Sequence, residues 1–221
     1  MPAMIAEIVA LLATAIAAVS SIPQLRRIVV AADTNGVSLS FATIGLTTEL
    51  TWGAYALSGG LWSAVPEAVL MVGANAVMAA ALVRTGIEAR RSVAAAGVWL
   101  ILIIGVAGTA GADGIAVVLA AGYAVQVAPS VWTAYRTPDP SGVAAATWAL
   151  VGVEAVLWGS YGVAHGDPAT IGFGVVGSLA TMAILARKRA TRNAVPRSSP
   201  AVAAPPSRRH PGRRDPGAFS R

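Results

Sequence analysis

The sequence predicts an all-α integral membrane protein, with seven transmembrane helices in a 3-1-3 arrangement of two parallel triple-helix bundles. Three observations carry that expectation. The 221 residues are 56% hydrophobic and 12% charged, with a mean hydropathy of +0.67. Soluble globular chains carry about 25% charged residues. A motif recurs at a constant separation of 106 positions without a gap. Finally, the basic residues fall only on alternate connections between apolar spans.

The repeat pairs Pro23 with Pro129, Asp33 with Asp139, Gly36 with Gly142 and Val37 with Val143. It continues through Trp52-Gly53 and Trp158-Gly159, Tyr55 and Tyr161, and Gly60 and Gly166. Matched tryptophans and prolines at one offset mark two copies of a single unit.

The apolar spans are residues 3–25, 39–57, 61–83, 93–110, 115–135, 143–164 and 169–186. Each is near the roughly 20 residues that cross about 30 Å of hydrocarbon. No Lys or Arg precedes Arg26, so the first span reads as a retained helix and not a cleaved signal. Ser58-Gly59-Gly60 makes a tight hairpin between the second and third spans. Residues 3–83 form the first triple-helix repeat and 115–186 the second, with 93–110 as a linking helix. A three-helix unit ends on the opposite side from its start. The extra crossing therefore lets both copies point the same way, with a site expected between them. Residues 187–221 are rich in Arg, Pro, Ala and Ser, and read as a disordered basic tail.

All 16 Lys and Arg follow the first, third, fifth and seventh spans, beginning with Arg26, Arg84, Arg136 and Arg187. Asp113, His165 and Asp167 lie on the other side. The positive-inside rule then puts the N-terminus outside and the C-terminus in the cytoplasm. The Ala-, Gly- and Arg-rich composition suggests a bacterial plasma membrane. The net charge of +6 is explained by this placement, with the tail against anionic lipid; no nucleic-acid partner is expected. There are no cysteines and only two histidines, far apart, so no metal or cofactor is expected. Nothing assembles a nucleophile with a base, and an enzyme is not expected.

Several residues inside the spans invite a function. Pro23 and Pro129 each remove a helical N–H and free the carbonyls of Val19 and Val125. They read as matched hinges, with Gln24 beside the first, or as static kinks. Glu49, Trp52 and Tyr55 share one helix face, as do Glu154, Trp158 and Tyr161. The tryptophans are expected to face a central pathway, and the tyrosines fit an interfacial belt. Glu49, Glu67 and Glu154 have no Lys or Arg at comparable depth. A carboxylate at the bilayer centre costs roughly 3 kcal/mol or more, so these contact a solute in a cavity, relay protons, bond between helices in neutral form, or snorkel to the lipid edge. Glu7, near the N-terminus, reads as interfacial. Asn75 and its counterpart Thr181 are expected to bond across helices.

Pro23-Gln24, Asp33-x-x-Gly36-Val37-Ser38 and Trp52-x-x-Tyr55 resemble the PQ-loop repeat superfamily, and within it the SWEET and SemiSWEET sugar transporters. The second copy, Pro129-Ser130, Gly142-Val143 and Trp158-Gly-Ser-Tyr161-Gly162, resembles it too. The resemblance covers two regions of about 60 residues and implies passive alternating-access movement of mono- or disaccharides, with proline hinges and a central pocket. It implies that Trp52 and Trp158 face the sugar. The family's third-helix asparagine does not carry over: its place holds Glu67, after Pro66, and in the second half falls near Phe173-Gly174. The second PQ pair also loses its glutamine, to Ser130. Other PQ-loop members export amino acids with protons, which would suit the unpaired glutamates.

The expected function is thus transport of a small polar solute, a sugar first. The expected solute contacts are Trp52, Trp158, Glu49, Glu67, Glu154 and Asn75, with hinges at Pro23, Gln24 and Pro129. A proton-coupled carrier of an amino acid or other cation, and a non-transporting receptor or scaffold, are the alternatives. The expected partners are the solute, the lipid bilayer and a second copy in a homodimer.

Overall fold

The computed structural model describes residues 3–30, 38–136 and 145–194, apart from the side chains of Gln24, Arg27 and residues 192–194. The described residues are helical, with no strand. The elements are α1 (Ala3–Val29), α2 (Leu39–Ser58), a 3-10 turn (Trp62–Ala64), α3 (Val65–Arg84), α4 (Arg90–Arg136), α5 (Ala145–His165) and α6 (Pro168–Ala194). The Asp33–Gly36 and Asp139–Gly142 motifs and residues 195–221 lie outside the described residues.

Four stretches are long and apolar enough to cross a membrane: Ala3–Pro23, Trp62–Arg84, Arg90–Arg136 and Pro168–Thr191. Large apolar side chains such as Leu11, Val69, Ile101 and Val175 stand exposed along them. An exposed apolar surface of this extent is compatible with a membrane location. Helices α2 and α5 are of similar length but less apolar. Part of their polar content faces inward, as the cavity below shows.

Helix α1 runs unbroken through Pro23, and α4 through Pro129. Helix α2 is capped by Ser38, whose Oγ accepts from the Phe41 N–H at 3.4 Å. The α2–α3 and α5–α6 turns use left-handed glycines at matched positions, Gly60 and Gly166. Helix α6 continues to Ala194, eight residues past the apolar span, where the sequence suggested an irregular tail from Arg187. Arg187 Nε donates to the Ala134 carbonyl at 3.3 Å, and Thr191 Oγ1 bonds back to Arg187 O at 3.1 Å. These contacts carry the helix beyond its apolar part.

The spans expected at 93–110 and 115–135 form one segment, α4, broken at Gly111 (φ 60°, ψ −147°). In a straight helix Trp99 and Gly122 would be about 35 Å apart. Instead a Cβ built on Gly122 would lie 2.8 Å from the Trp99 ring, so the chain folds back at Gly111. That conformation is essentially restricted to glycine. Gly111→Ala is expected to lower stability by about 1–3 kcal/mol, measured by thermal unfolding in detergent. A change near zero would mean that the reversal tolerates a side chain.

Packing repeats with the sequence. Helix α3 packs on both α1 and α2, and α6 likewise packs on both α4 and α5. Helix α1 packs on α5, and α2 on α4. The first arm of α4 is pinned to α2 by Ser40 Oγ to Ser92 Oγ (3.0 Å), Thr43 Oγ1 to Ser92 O (3.1 Å) and Trp99 Nε1 to Thr48 Oγ1 (2.9 Å).

Candidate functional site

Two ends of the bundle can be told apart. At the hairpin end lie the α2–α3 and α5–α6 turns; at the other lie Arg26, Arg84, Arg90, Arg136 and Arg187. A buried core fills the hairpin end. Ala6, Ala10 and Ala13 of α1 meet Tyr55 and Ala56 of α2, Leu119 of α4, and Trp158 and Tyr161 of α5 there.

On the arginine side of that core is a cavity of about 400 Å³ between the two halves. Glu49, Trp52, Glu67, Asn75, Glu154 and Trp158 all line it, so every residue expected to meet a solute is brought to one space. The spacing explains this: Glu49 and Trp52, and Glu154 and Trp158, stand one turn apart on one face of α2 and α5. Among the described residues no Lys or Arg lines it. The Glu49, Glu67 and Glu154 carboxyls are close enough to act on one another electrostatically.

The two walls differ in detail. Trp158 Nε1 donates to Glu67 Oε2 at 2.9 Å, and Trp158 is 4% exposed. At the matched position, Trp52 meets the edge of Phe173 (centroids 6.3 Å apart, 89°), which stands where the second repeat replaces Glu67. Phe173 stacks on Tyr123 at 4.1 Å. Asn75 is buried, and its Nδ2 donates to Met71 O of its own helix at 2.9 Å. The bond across helices expected of it is not formed; the amide instead sits against Gly45, where a Cβ would lie 2.7 Å from Oδ1. Its counterpart Thr181 does bond across, to Trp148 O at 3.2 Å.

The tyrosines correct a second expectation. Tyr55 (8% exposed) and Tyr161 (0%) are core residues and not a belt at the membrane surface. Tyr55 OH donates to Asp167 Oδ1 at 2.5 Å, joining the two halves. Asp167 Oδ2 also accepts from Thr170 N (2.8 Å) and Thr170 Oγ1 (2.6 Å), capping α6. The residue matched to Asp167 in the first repeat is Leu61, which has no acceptor in its side chain. Tyr161 OH is correspondingly buried without a hydrogen-bond partner among the described residues. Glu7 adds a second link: it accepts from Ser63 Oγ, and His165 Nε2 lies 3.2 Å from its Oε1. The Asp167-Pro168 pair is a helix-start signal that could have marked the cap in the sequence. Its bond to Tyr55 had no such signal.

Pro23 and Pro129 are exposed on the outer surface and do not line the cavity. Their neighbours Ser21, Gln126 and Ser130 do. The Gln24 side chain lies outside the described residues.

Comparison with protein-family models, curated proteins and solved structures found no match to this chain.

Proposed function

We propose that the protein is a membrane transporter of the PQ-loop repeat type that carries a small polar solute by alternating access, with a mono- or disaccharide as substrate. The observation that supports this most directly is the cavity. It lies between two repeats, receives matched residues from both, and has a packed core on its hairpin side. In this reading the two arms of α4 are separate crossings, which makes seven crossings in a 3-1-3 order. The N-terminus is outside and the C-terminus in the cytoplasm of a bacterial cell. Trp52 and Trp158 line the solute's path, and Pro23 and Pro129 flex as the bundles rock.

The test is uptake of labelled glucose and sucrose into proteoliposomes. Saturable entry is expected, and Trp52→Ala should reduce it, since the substitution removes the half-buried indole that lines the cavity. Normal uptake by both Trp52→Ala and Trp158→Ala would refute the site assignment.

A second reading is favoured by the three carboxyls that line the cavity, with no cationic side chain beside them among the described residues. It has a cationic solute exchanging for protons. Uptake of a basic amino acid that follows an imposed pH gradient, and is lost in Glu49→Gln and Glu154→Gln, would select it. Flux of neither class would favour a receptor or scaffold.

A further inference from the structure

The repeat would lead one to treat Trp52 and Trp158 as equivalent. The structure separates them. Trp158 is almost wholly buried, and its one polar atom is already engaged: Nε1 donates to Glu67 Oε2 across the boundary between the halves, at 2.9 Å. An indole ring held edge-on by Tyr161 (5.4 Å, 86°) on one side and by that bond on the other has little left to offer a solute. Trp52 is only half-buried, and its neighbours are the aromatic edges of Tyr55 and Phe173, neither of which takes its N–H. Trp52 Nε1 makes no hydrogen bond among the described residues. The origin of the difference is one pair of matched positions, Glu67 in the first repeat and Phe173 in the second.

We infer that Trp52 is the specificity-determining indole of the cavity, and that Trp158 with Glu67 is a positioning strut tying α5 to α3. The inference rests on the transport reading above and deepens it. An N–H without a partner on a half-buried ring that lines the cavity suits a solute that offers an oxygen acceptor beside a C–H surface, as a pyranose does. Glu49, one turn before Trp52 and with no hydrogen bond among the described residues, completes this subsite with an acceptor for a hydroxyl.

The test uses the full chain carrying 5-fluorotryptophan, with the ¹⁹F signals assigned through Trp52→Phe and Trp158→Phe. The Trp52 signal is expected to shift on transfer from H₂O to D₂O, and that of Trp158 to be nearly indifferent, moving instead in Glu67→Gln. A Trp158 signal as solvent-sensitive as that of Trp52 overturns the inference, whether or not any sugar is carried. With glucose as the probe in proteoliposomes, Trp52→Phe should raise KM about tenfold while leaving the maximal rate near its starting value. Trp158→Phe and Glu67→Leu should lower the maximal rate with smaller effects on KM. Glu67→Gln, which keeps an acceptor for Nε1, should lower it less than Glu67→Leu. An equal rise of KM in Trp52→Phe and Trp158→Phe overturns the division of roles. If glucose is not carried at all, the sugar reading fails and the solvent-shift comparison alone decides the inference.

Discussion

Gly174→Ala is expected to destabilise the protein by about 1–3 kcal/mol, and Gly53→Ala to be close to neutral. Gly174 of α6 faces Gly159 of α5, so the helices touch backbone to backbone. A Cβ on Gly174 would sit 2.5 Å from Gly159 Cα and 2.8 Å from Ala155 O. Neither atom can rotate away, and the helices must part. Close approach of small residues is a main source of helix association in membranes. In the first repeat the same crossing is made by Gly53 and Ala68, each 106 positions before its counterpart. A Cβ on Gly53 would meet only the Ala68 Cβ, at 3.5 Å, an ordinary contact. Thermal unfolding in detergent followed by tryptophan fluorescence should rank Gly174→Ala far below the parent, with Gly53→Ala beside it. Equal effects of the two would show that the crossings are not built as described.

Tyr55→Phe is expected to open the hairpin end. The Tyr55–Asp167 bond is buried, short and joins the two halves, and a hydrogen bond to a charged group contributes about 1.5–3 kcal/mol. Its loss shifts the balance between closed and open forms by roughly ten- to a hundredfold. The chain contains no cysteine, so a single reporter can be placed without interference. Ala64 lines the cavity close to the hairpin end. In an Ala64→Cys background, an impermeant thiol reagent added from that side should react much faster once Tyr55 is phenylalanine. Asp167→Ala should open the same end and also lower stability, because it removes the cap of α6. Asp167→Asn keeps a good capping side chain and should lose less. Unchanged labelling in Tyr55→Phe would mean that packing alone holds the end shut.

Much of this was legible in the sequence because it depends on periodicity. The apolar spans, the offset of 106 and the one-turn spacing of Glu49 with Trp52 need no knowledge of which helices touch. Those patterns were enough to pick out Glu49, Trp52, Glu154 and Trp158 of the cavity wall, but not Thr48, Tyr123 or Gln126. What could not be read were contacts fixed by helix neighbourhood. Glu7 and His165 lie 158 positions apart, and Tyr55 and Asp167 lie 112 apart. Both pairs depend on how the two repeats meet, as in the packing of α1 on α5. Tyr55 and Tyr161 were misplaced for the same reason. Amphipathic rings near a span's end fit a surface belt unless another helix covers them. Asn75 was misread because Gly45 opposite it leaves room for the amide without offering it a bond.

The stripe of Ala6, Ala10 and Ala13 has a consequence for biosynthesis. These residues are wholly buried, in a core shared with α5 and with the second arm of α4. Part of the burial of this stripe therefore waits for helices made well after α1, α5 among them. Until then α1 packs on α3 and the short 3-10 turn before it, and leaving part of an alanine stripe uncovered costs little because alanine is small and apolar. Final closure of the hairpin end is a late event in synthesis, and the carboxyl-terminal half decides when the amino-terminal half is finished.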